Sequence, residues 1–155
     1  MATRKPTLKK PAARRRPARA AQKSTRSAIH TDAAPKAIGP YSQAIRAGAL
    51  VYTAGQVQID PAIGKLIEGG VAEQTRQALN NVKAILEAAG TSIDRVIKTT
   101  VFMSDLSQFS AMNAVYAEFF PSNPPARSTV QVAALPLGAL VEIEAIADCG
   151  MSNDE

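Results

Sequence analysis

Several polar residues that are able to bind and activate a small molecule lie in or beside predicted strands of this 155-residue chain. Tyr41 follows a Gly-Pro turn, Arg127 begins a strand after two prolines, and Glu142 and Glu144 alternate along the last strand. An arginine guanidinium binds a carboxylate through two parallel hydrogen bonds. A glutamate in a closed cleft acts as a general base or orients a water molecule, and a tyrosine hydroxyl donates or accepts a hydrogen bond. Together these groups suit a small anionic substrate that reacts with water.

Each of these residues also has an ordinary structural interpretation. An arginine at a strand start commonly pairs with a carboxylate, and two glutamates in a strand commonly form a solvated face or a charge paired within an interface.

The sequence disfavours thiol, serine-histidine, metal and nucleotide chemistry. His30 is the only histidine and Cys149 the only cysteine, so neither a catalytic Cys/His or Ser/His pair nor a metal site is expected. No phosphate-binding or dinucleotide-binding glycine motif occurs.

Charge is strongly segregated along the chain. The formal net charge is +5, yet residues 1–28 contain 10 basic residues and no acidic residue. Residues 29–155 therefore combine 8 basic with 13 acidic residues, which gives a net charge of −5. This acidic balance argues against nucleic-acid binding by the folded part of the chain.

The composition predicts a disordered basic extension over residues 1–30, a domain over residues 31–150 and a disordered end over residues 151–155. Three prolines and almost no large apolar side chains oppose a packed structure in the extension. Four interpretations of it stay open: a mitochondrial transit peptide, a polybasic arm for nucleic acid or anionic surfaces, a start codon chosen too far upstream, and a solvated tail without a role. The absence of a long apolar run predicts no membrane insertion. A single cysteine and no secretory leader favour the cytoplasm, with the mitochondrion as the alternative.

Hydrophobic periodicity predicts an α+β domain with the element order β-β-α-β-α-β-β. Helices are expected over residues 72–89 and from Ser104-Asp105 to Pro121. Strands are expected over residues 41–46, 49–53, 96–103, 127–134 and 141–148. Two helices cover only one face of a sheet of about five strands. Because the other face also contains apolar residues such as Ile146, we expect another copy of the chain to cover it.

Six motifs in order resemble the RidA family, which is also called the YjgF/YER057c/UK114 family. They are GPYSQA at 39–44, YTAGQV at 52–57, NVKAILEAAG at 81–90, VIKTTVFMSDL at 96–106, PPARSTVQVAALP at 124–136 and VEIEAIA at 141–147. The extension over residues 1–30 has no counterpart in the short members of the family. The resemblance implies a chorismate-mutase-like sheet with two helices on one face. It also implies a homotrimeric barrel with a cleft between each pair of neighbouring subunits.

The same resemblance implies an activity and a set of site residues. RidA proteins hydrolyse 2-imino and 2-enamino acids, such as 2-aminoacrylate and 2-iminobutanoate, to 2-oxo acids and ammonia, with no cofactor and no metal. By the resemblance, Arg127 binds the substrate carboxylate, Tyr41 is the tyrosine of the GPY motif, and Glu142 positions or deprotonates the attacking water. Gly55 matches a glycine whose backbone N–H faces the ligand. Many members have a cysteine two residues after the arginine, and here Thr129 occupies that position, where its hydroxyl is expected to bind the substrate by a hydrogen bond.

Two other functions stay open on the sequence. A trimer that holds small 2-oxo acids without turnover would tolerate threonine at position 129. A nucleic-acid-associated protein would bind through the basic residues 1–28.

Deletion of residues 1–28 tests the role of the extension. The deletion changes the net charge from +5 to −5. Affinity for DNA, RNA or anionic vesicles should therefore disappear, and the affinity of the full chain should fall steeply as salt is added. Fluorescence anisotropy over a salt series measures both effects. Equal binding by the truncated chain would place the binding surface on the domain instead.

Overall fold

The computed structural model describes residues 26–150, and their alternating and helical patterns form one mixed α+β unit. The strands are β1 (Arg26–Ile29), β2 (Ala44–Ala47), β3 (Leu50–Thr53), β4 (Ile59–Asp60), β5 (Lys65–Leu66), β6 (Val96–Met103), β7 (Ala126–Gln131) and β8 (Val141–Asp148). The helices are α1 (Val71–Ala88) and α2 (Phe109–Phe119), and short 3₁₀ turns occupy Ile93–Arg95, Leu106–Gln108 and Pro136–Gly138.

Six of the strands form one sheet in the order β1-β2-β3-β8-β6-β7. Neighbouring strands are antiparallel, except that β6 and β7 run parallel because α2 connects them as a crossover. Strands β4 and β5 pair separately as a small hairpin. The last strand, β8, lies between β3 and β6 and is therefore central in the sheet.

The core lies between one face of the sheet and the two helices. On β8, Val141, Ile143, Ala145 and Ala147 are buried, whereas the residues between them are only partly buried. The buried partners on α1 recur at helical spacing, among them Leu79, Val82 and Leu86. This arrangement confirms the expected α+β fold with both helices on one face.

Both helices have recognisable boundaries. The backbone N–H of Gly70 donates to Glu73 Oε2 at 2.9 Å at the start of α1. Gly90, with a φ of 81°, follows the helix end in a conformation that glycine adopts without strain. Asp105 accepts a hydrogen bond from the Ser107 N–H at 2.8 Å and caps the 3₁₀ turn that leads into α2. The predicted helix boundaries are therefore confirmed to within a few residues.

The boundary predicted for the extension is wrong at its C-terminal end. Residues 26–29 form strand β1 and pair with Ala44–Ala47 along the edge of the sheet. Ile29 packs against the core. The free edge of β2 supplies hydrogen-bond partners that composition alone does not reveal. The sheet consequently has six strands rather than about five, while residues 1–25 and 151–155 of the predicted termini lie outside the described residues.

The second face of the sheet carries no helix among residues 26–150. Glu142, Glu144 and Ile146 of β8 point to this face, and they are only half-buried. Two large apolar side chains on other strands of the sheet, Tyr52 on β3 and Val130 on β7, are 43% and 42% exposed. The expectation of an uncovered, partly apolar face is confirmed for the single chain, and its burial by another copy stays a prediction. Neither helix in the described part of the chain is long and apolar enough to cross a membrane.

Two truncations separate the extension from β1. Removal of residues 1–25 should leave the melting temperature unchanged. Removal of residues 1–30 should lower it by roughly 5 °C or more, because the β1 pairing and the burial of Ile29, worth about 2 kcal/mol, are lost. Circular dichroism melts of the two truncated proteins make the comparison. Identical melting temperatures would show that β1 does not stabilise the sheet.

Candidate active site

Glu142 lines a cavity of about 340 Å³ on the uncovered side of the sheet. Tyr41 and Gly55 line the same cavity, so the structure brings three of the predicted site residues together. Much of the remaining wall is apolar, with contributions from Ile38 and Val57. We call Tyr41, Gly55 and Glu142 the carboxylate half-site.

Glu142 packs directly against the backbone at Gly55. A Cβ atom at position 55 would lie 2.7 Å from Glu142 Cδ and would overlap Oε1, so only glycine leaves room for the carboxylate. Gln56 fixes this stretch, because its Nε2 donates to the carbonyl oxygens of Ala54 and Gly55 at 3.4 and 3.2 Å. The backbone of Gln56 also pairs with that of Ile143 on β8. The position of Gly55 is therefore set by the strand that bears Glu142.

The environment of Glu142 favours its neutral form. Burial raises the pKa of the Glu142 carboxyl above its ordinary value, and the negative charge of Glu144 on the same strand raises it further. A carboxylate with a raised pKa is a stronger proton acceptor than an ordinary surface carboxylate. Glu142 therefore has the protonation chemistry expected of a general base.

Tyr41 is held by the turn that precedes it. Its backbone N–H donates to the Gly39 carbonyl at 2.8 Å, and its hydroxyl accepts a hydrogen bond from the Ile38 N–H at 3.3 Å. The residue is 51% exposed, so the ring remains accessible from the cavity side.

Gln43 fixes the segment that forms the adjacent wall. This side chain is only 3% exposed. Its Nε2 donates to the carbonyl oxygens of Thr31, Ala34 and Pro35 at 3.0, 3.2 and 2.8 Å, and its Oε1 accepts from the Thr31 N–H at 2.7 Å. Gln43 is not among the residues predicted for the site, although a polar residue close to the Gly-Pro turn is a signal for such a role.

Arg127 lies on the helix-covered face, at the start of the edge strand β7. Its guanidinium carbon is 4.5 Å from the centroid of the Tyr116 ring and 5.4 Å from that of Phe109. The Tyr116 hydroxyl shares a 2.6 Å hydrogen bond with Thr99 Oγ1, which fixes the ring. Within residues 26–150, Arg127 has no carboxylate partner. Its guanidinium is therefore oriented by aromatic contacts and available to an anion.

Two aromatic residues of α2 thus do more than fill the core. Phe109 and Tyr116 lie seven residues apart in the sequence, a spacing that puts both rings on one face of the helix. Burial raises the pKa of Tyr116, against smaller opposing effects of Thr99 and Arg127. The ring therefore stays neutral at physiological pH.

Thr129 follows Arg127 on the same face of β7. It pairs with Val101 of β6, whose side chain is fully buried on the helix side. Thr129 Oγ1 is buried and has no hydrogen-bond partner among the described residues. We call Arg127 and Thr129 the arginine half-site.

One chain does not bring the two half-sites together. Arg127 pairs with Thr99 of β6, whereas Glu142 pairs with Phe102 of the same strand. Because Thr99 and Phe102 are three residues apart, their side chains, and those of their partners, point to opposite faces of the sheet. Arg127 also lines a separate cavity of about 380 Å³. In the described part of the chain, no cluster of three side chains suited to metal binding occurs.

Comparison with known proteins identifies the family. The family model described as endoribonuclease L-PSP matches residues 31–149. The chain belongs to the L-PSP family. A RutC family protein of Pyrococcus horikoshii is 56% identical over 119 residues, which cover 77% of this chain and 94% of the relative. The 2-iminobutanoate/2-iminopropanoate deaminase of Homo sapiens is 50% identical over 122 residues, which cover 79% of this chain and 89% of the relative.

A solved structure supports the same assignment. It is a protein of the conserved Rid protein family from Yersinia pestis, which is 50% identical to this chain and superposes with a TM-score of 0.78. The match covers 80% of this chain and 99% of the Yersinia chain. The resemblance to the RidA family and its fold are therefore confirmed for this L-PSP family member.

Replacement of Glu142 by Gln should raise the melting temperature at neutral pH. Because folding raises the pKa of Glu142, the native state binds more protons than the unfolded chain between the two pKa values, and stability falls as pH rises through this window. The neutral Gln avoids that loss, and its advantage should vanish below the ordinary carboxyl pKa of 4.5. Calorimetric melts on both sides of the window test this, with the exposed Glu68→Gln as the control. A melting temperature that falls at neutral pH would contradict a destabilising charge at Glu142.

Proposed function

We propose that the protein is a hydrolytic deaminase, an enzyme that converts 2-imino and 2-enamino acids to 2-oxo acids and ammonia. The proposal depends on the pair of groups that the chain carries in two separate cavities. Arg127 is oriented by aromatic rings and has no carboxylate partner among residues 26–150, and Glu142 is a half-buried carboxyl with a raised pKa. The first suits a substrate carboxylate and the second suits an attacking water. The 50% identity with the human deaminase supports the same reaction class.

Arg127 binds the carboxylate of the substrate in this proposal. The Tyr116 and Phe109 rings contact the guanidinium face, which leaves its N–H edges for two parallel hydrogen bonds to a carboxylate. The buried Thr129 Oγ1, which has no partner among the described residues, is available to donate a hydrogen bond to the same anion. Gly55 N–H and the Tyr41 hydroxyl complete the polar groups that face the ligand.

Glu142 handles the water and its proton. An enamine first tautomerises to the imine, which is electrophilic at C2 when protonated. Glu142 accepts a proton from the attacking water as the C2–O bond forms. It then returns the proton to the nitrogen of the carbinolamine. The C2–N bond breaks as the hydroxyl oxygen forms the C2=O bond, and the hydroxyl proton passes through Glu142 to the departing ammonia, which leaves as ammonium. A positioned general base typically contributes about 10²- to 10⁴-fold, which is sufficient for species that also hydrolyse in free water.

The reaction requires two copies of the chain. Since the half-sites point to opposite faces of one sheet, Arg127 of one subunit has to meet Glu142 of its neighbour. We therefore propose a homotrimer with three composite sites, in line with the resemblance to RidA. The uncovered face, with its exposed Tyr52 and Val130, supplies a physical reason for association. We also propose a reducing compartment, the cytoplasm or, if the extension is a transit peptide, the mitochondrion, which the single cysteine supports.

Subunit mixing tests the composite site directly. Arg127→Lys loses the planar fork, and Glu142→Gln keeps the shape but cannot accept a proton, so each variant alone should lose most imine hydrolysis. When equal amounts of the two are refolded together, about a quarter of the sites combine an intact Arg127 with an intact Glu142 in a random trimer. Activity should return to about that fraction of wild type. An amino-acid oxidase generates the imine, and semicarbazide trapping follows its decay.

Other results would lead to other conclusions. If each variant is inactive alone and activity does not return on mixing, both residues act within one subunit. If either variant is fully active alone, that residue has no role in the reaction. Full activity of the Arg127→Lys variant would show that Arg127 does not bind the substrate carboxylate through two parallel hydrogen bonds. If the wild-type protein binds 2-oxobutanoate in a calorimeter but does not accelerate imine decay, it is a binding protein and not a deaminase.

A further inference from the structure

Leu137 has a backbone conformation that is unusual for its residue type. It lies in the turn Leu135–Gly138, which is closed by a hydrogen bond from the Gly138 N–H to the Leu135 carbonyl at 3.3 Å. Its φ and ψ are 57° and 20°, in the left-handed region. A side chain with a Cβ is strained there, and the corresponding position of such turns normally has glycine or asparagine. Leucine is therefore an unfavourable residue for the backbone conformation at this position.

The fold gains little from the Leu137 side chain. This side chain is 61% exposed, so it contributes little to the core. Other groups hold the turn: the Ala139 N–H donates to the Pro136 carbonyl at 3.1 Å, and the Leu140 N–H donates to Gln74 Oε1 at 2.8 Å. Leu137 is thus both strained and exposed in a loop that does not need it.

The position of Leu137 relates it to the carboxylate half-site. Leu137 and Pro136 line the same 340 Å³ cavity as Glu142. The apolar part of that wall continues with Ile38, Val57 and Ile59. An exposed leucine in a partly apolar cavity wall offers a contact surface to an aliphatic group inside the cavity.

We propose that Leu137 is a specificity-determining residue that selects 2-imino acids with larger aliphatic side chains; this inference rests on the proposed function. A 2-imino acid has three groups on C2. The carboxylate binds Arg127, and the imine nitrogen and the incoming water react beside Glu142. The side chain is the one remaining group, and the apolar part of the cavity wall, which includes Leu137, is the surface of matching polarity.

Leu137→Asn and Leu137→Gly test this role without disturbing the turn, because both residues tolerate a positive φ. The measured quantity is the ratio of kcat/KM for the imine made from leucine to kcat/KM for the imine made from alanine. Loss of the leucine contact should lower this ratio about tenfold, since a pocket contact of one or two methylene groups has an effect of that order. The melting temperatures of both variants should equal or exceed that of the wild type.

Ile63→Asn is the matched control. Ile63 is 63% exposed, like Leu137, but it lies in the β4–β5 hairpin and does not line the cavity. This substitution also removes an exposed aliphatic side chain, and the ratio should stay within about twofold of wild type because no pocket contact changes.

The possible outcomes separate this inference from the proposed function. If the wild type hydrolyses both imines and the Leu137 variants keep its ratio, Leu137 is not a specificity residue, although the deaminase assignment stands. If those variants keep the ratio but dissociate into monomers on dilution, Leu137 is a subunit contact and the inference fails. If the wild type accelerates neither imine, the proposed function fails and this inference fails with it.

Discussion

The structure depends on the alternation of side chains along strand β8. Val141, Ile143, Ala145 and Ala147 are buried against the helices, so every second residue must point the other way. Because β8 is central and both helices lie on one side, those second residues occupy a face that this chain does not cover. Glu142 and Glu144 are therefore placed on a common surface by the packing of their neighbours. A shift of one residue in the register of β8 would bury both charges and expose the apolar set.

The candidate site is built from groups that do not stabilise the isolated fold. Glu142 is partly desolvated beside another carboxylate, which raises its pKa. Arg127 lies on aromatic rings and has no acidic partner among the described residues. Leu137 is strained and exposed. Charges that stabilise the fold are paired instead, as in the bidentate contact of Arg76 with Glu118 between the two helices. Unpaired and strained groups of this kind concentrate where a ligand binds.

The opposite orientation of the two half-sites gives the sheet a second function in our proposal. The face that lacks a helix is the face on which Glu142 lies, so one association would bury apolar surface and complete the site. Stability and catalysis would then be linked, because a subunit that dissociates would lose its neighbour's Arg127. The buried glutamines Gln43 and Gln56 keep the carboxylate half-site formed within each subunit, which reduces the ordering required on association.

The sequence alone determined most of the elements, the family and the residues proposed for the site. Periodicity located α1, β6 and β8, the alternation of Glu142 and Glu144 was correct, and the family motifs named Arg127, Tyr41 and Gly55. These features are local, since they depend on spacing within a segment.

Only the tertiary structure decided that residues 26–29 join the sheet, because their partner strand begins 15 residues after the end of β1. Strand pairing likewise put Arg127 and Glu142 on opposite faces, and a turn put Leu137 beside Glu142. Such relations depend on register and packing between distant segments, which no pattern within a single segment contains.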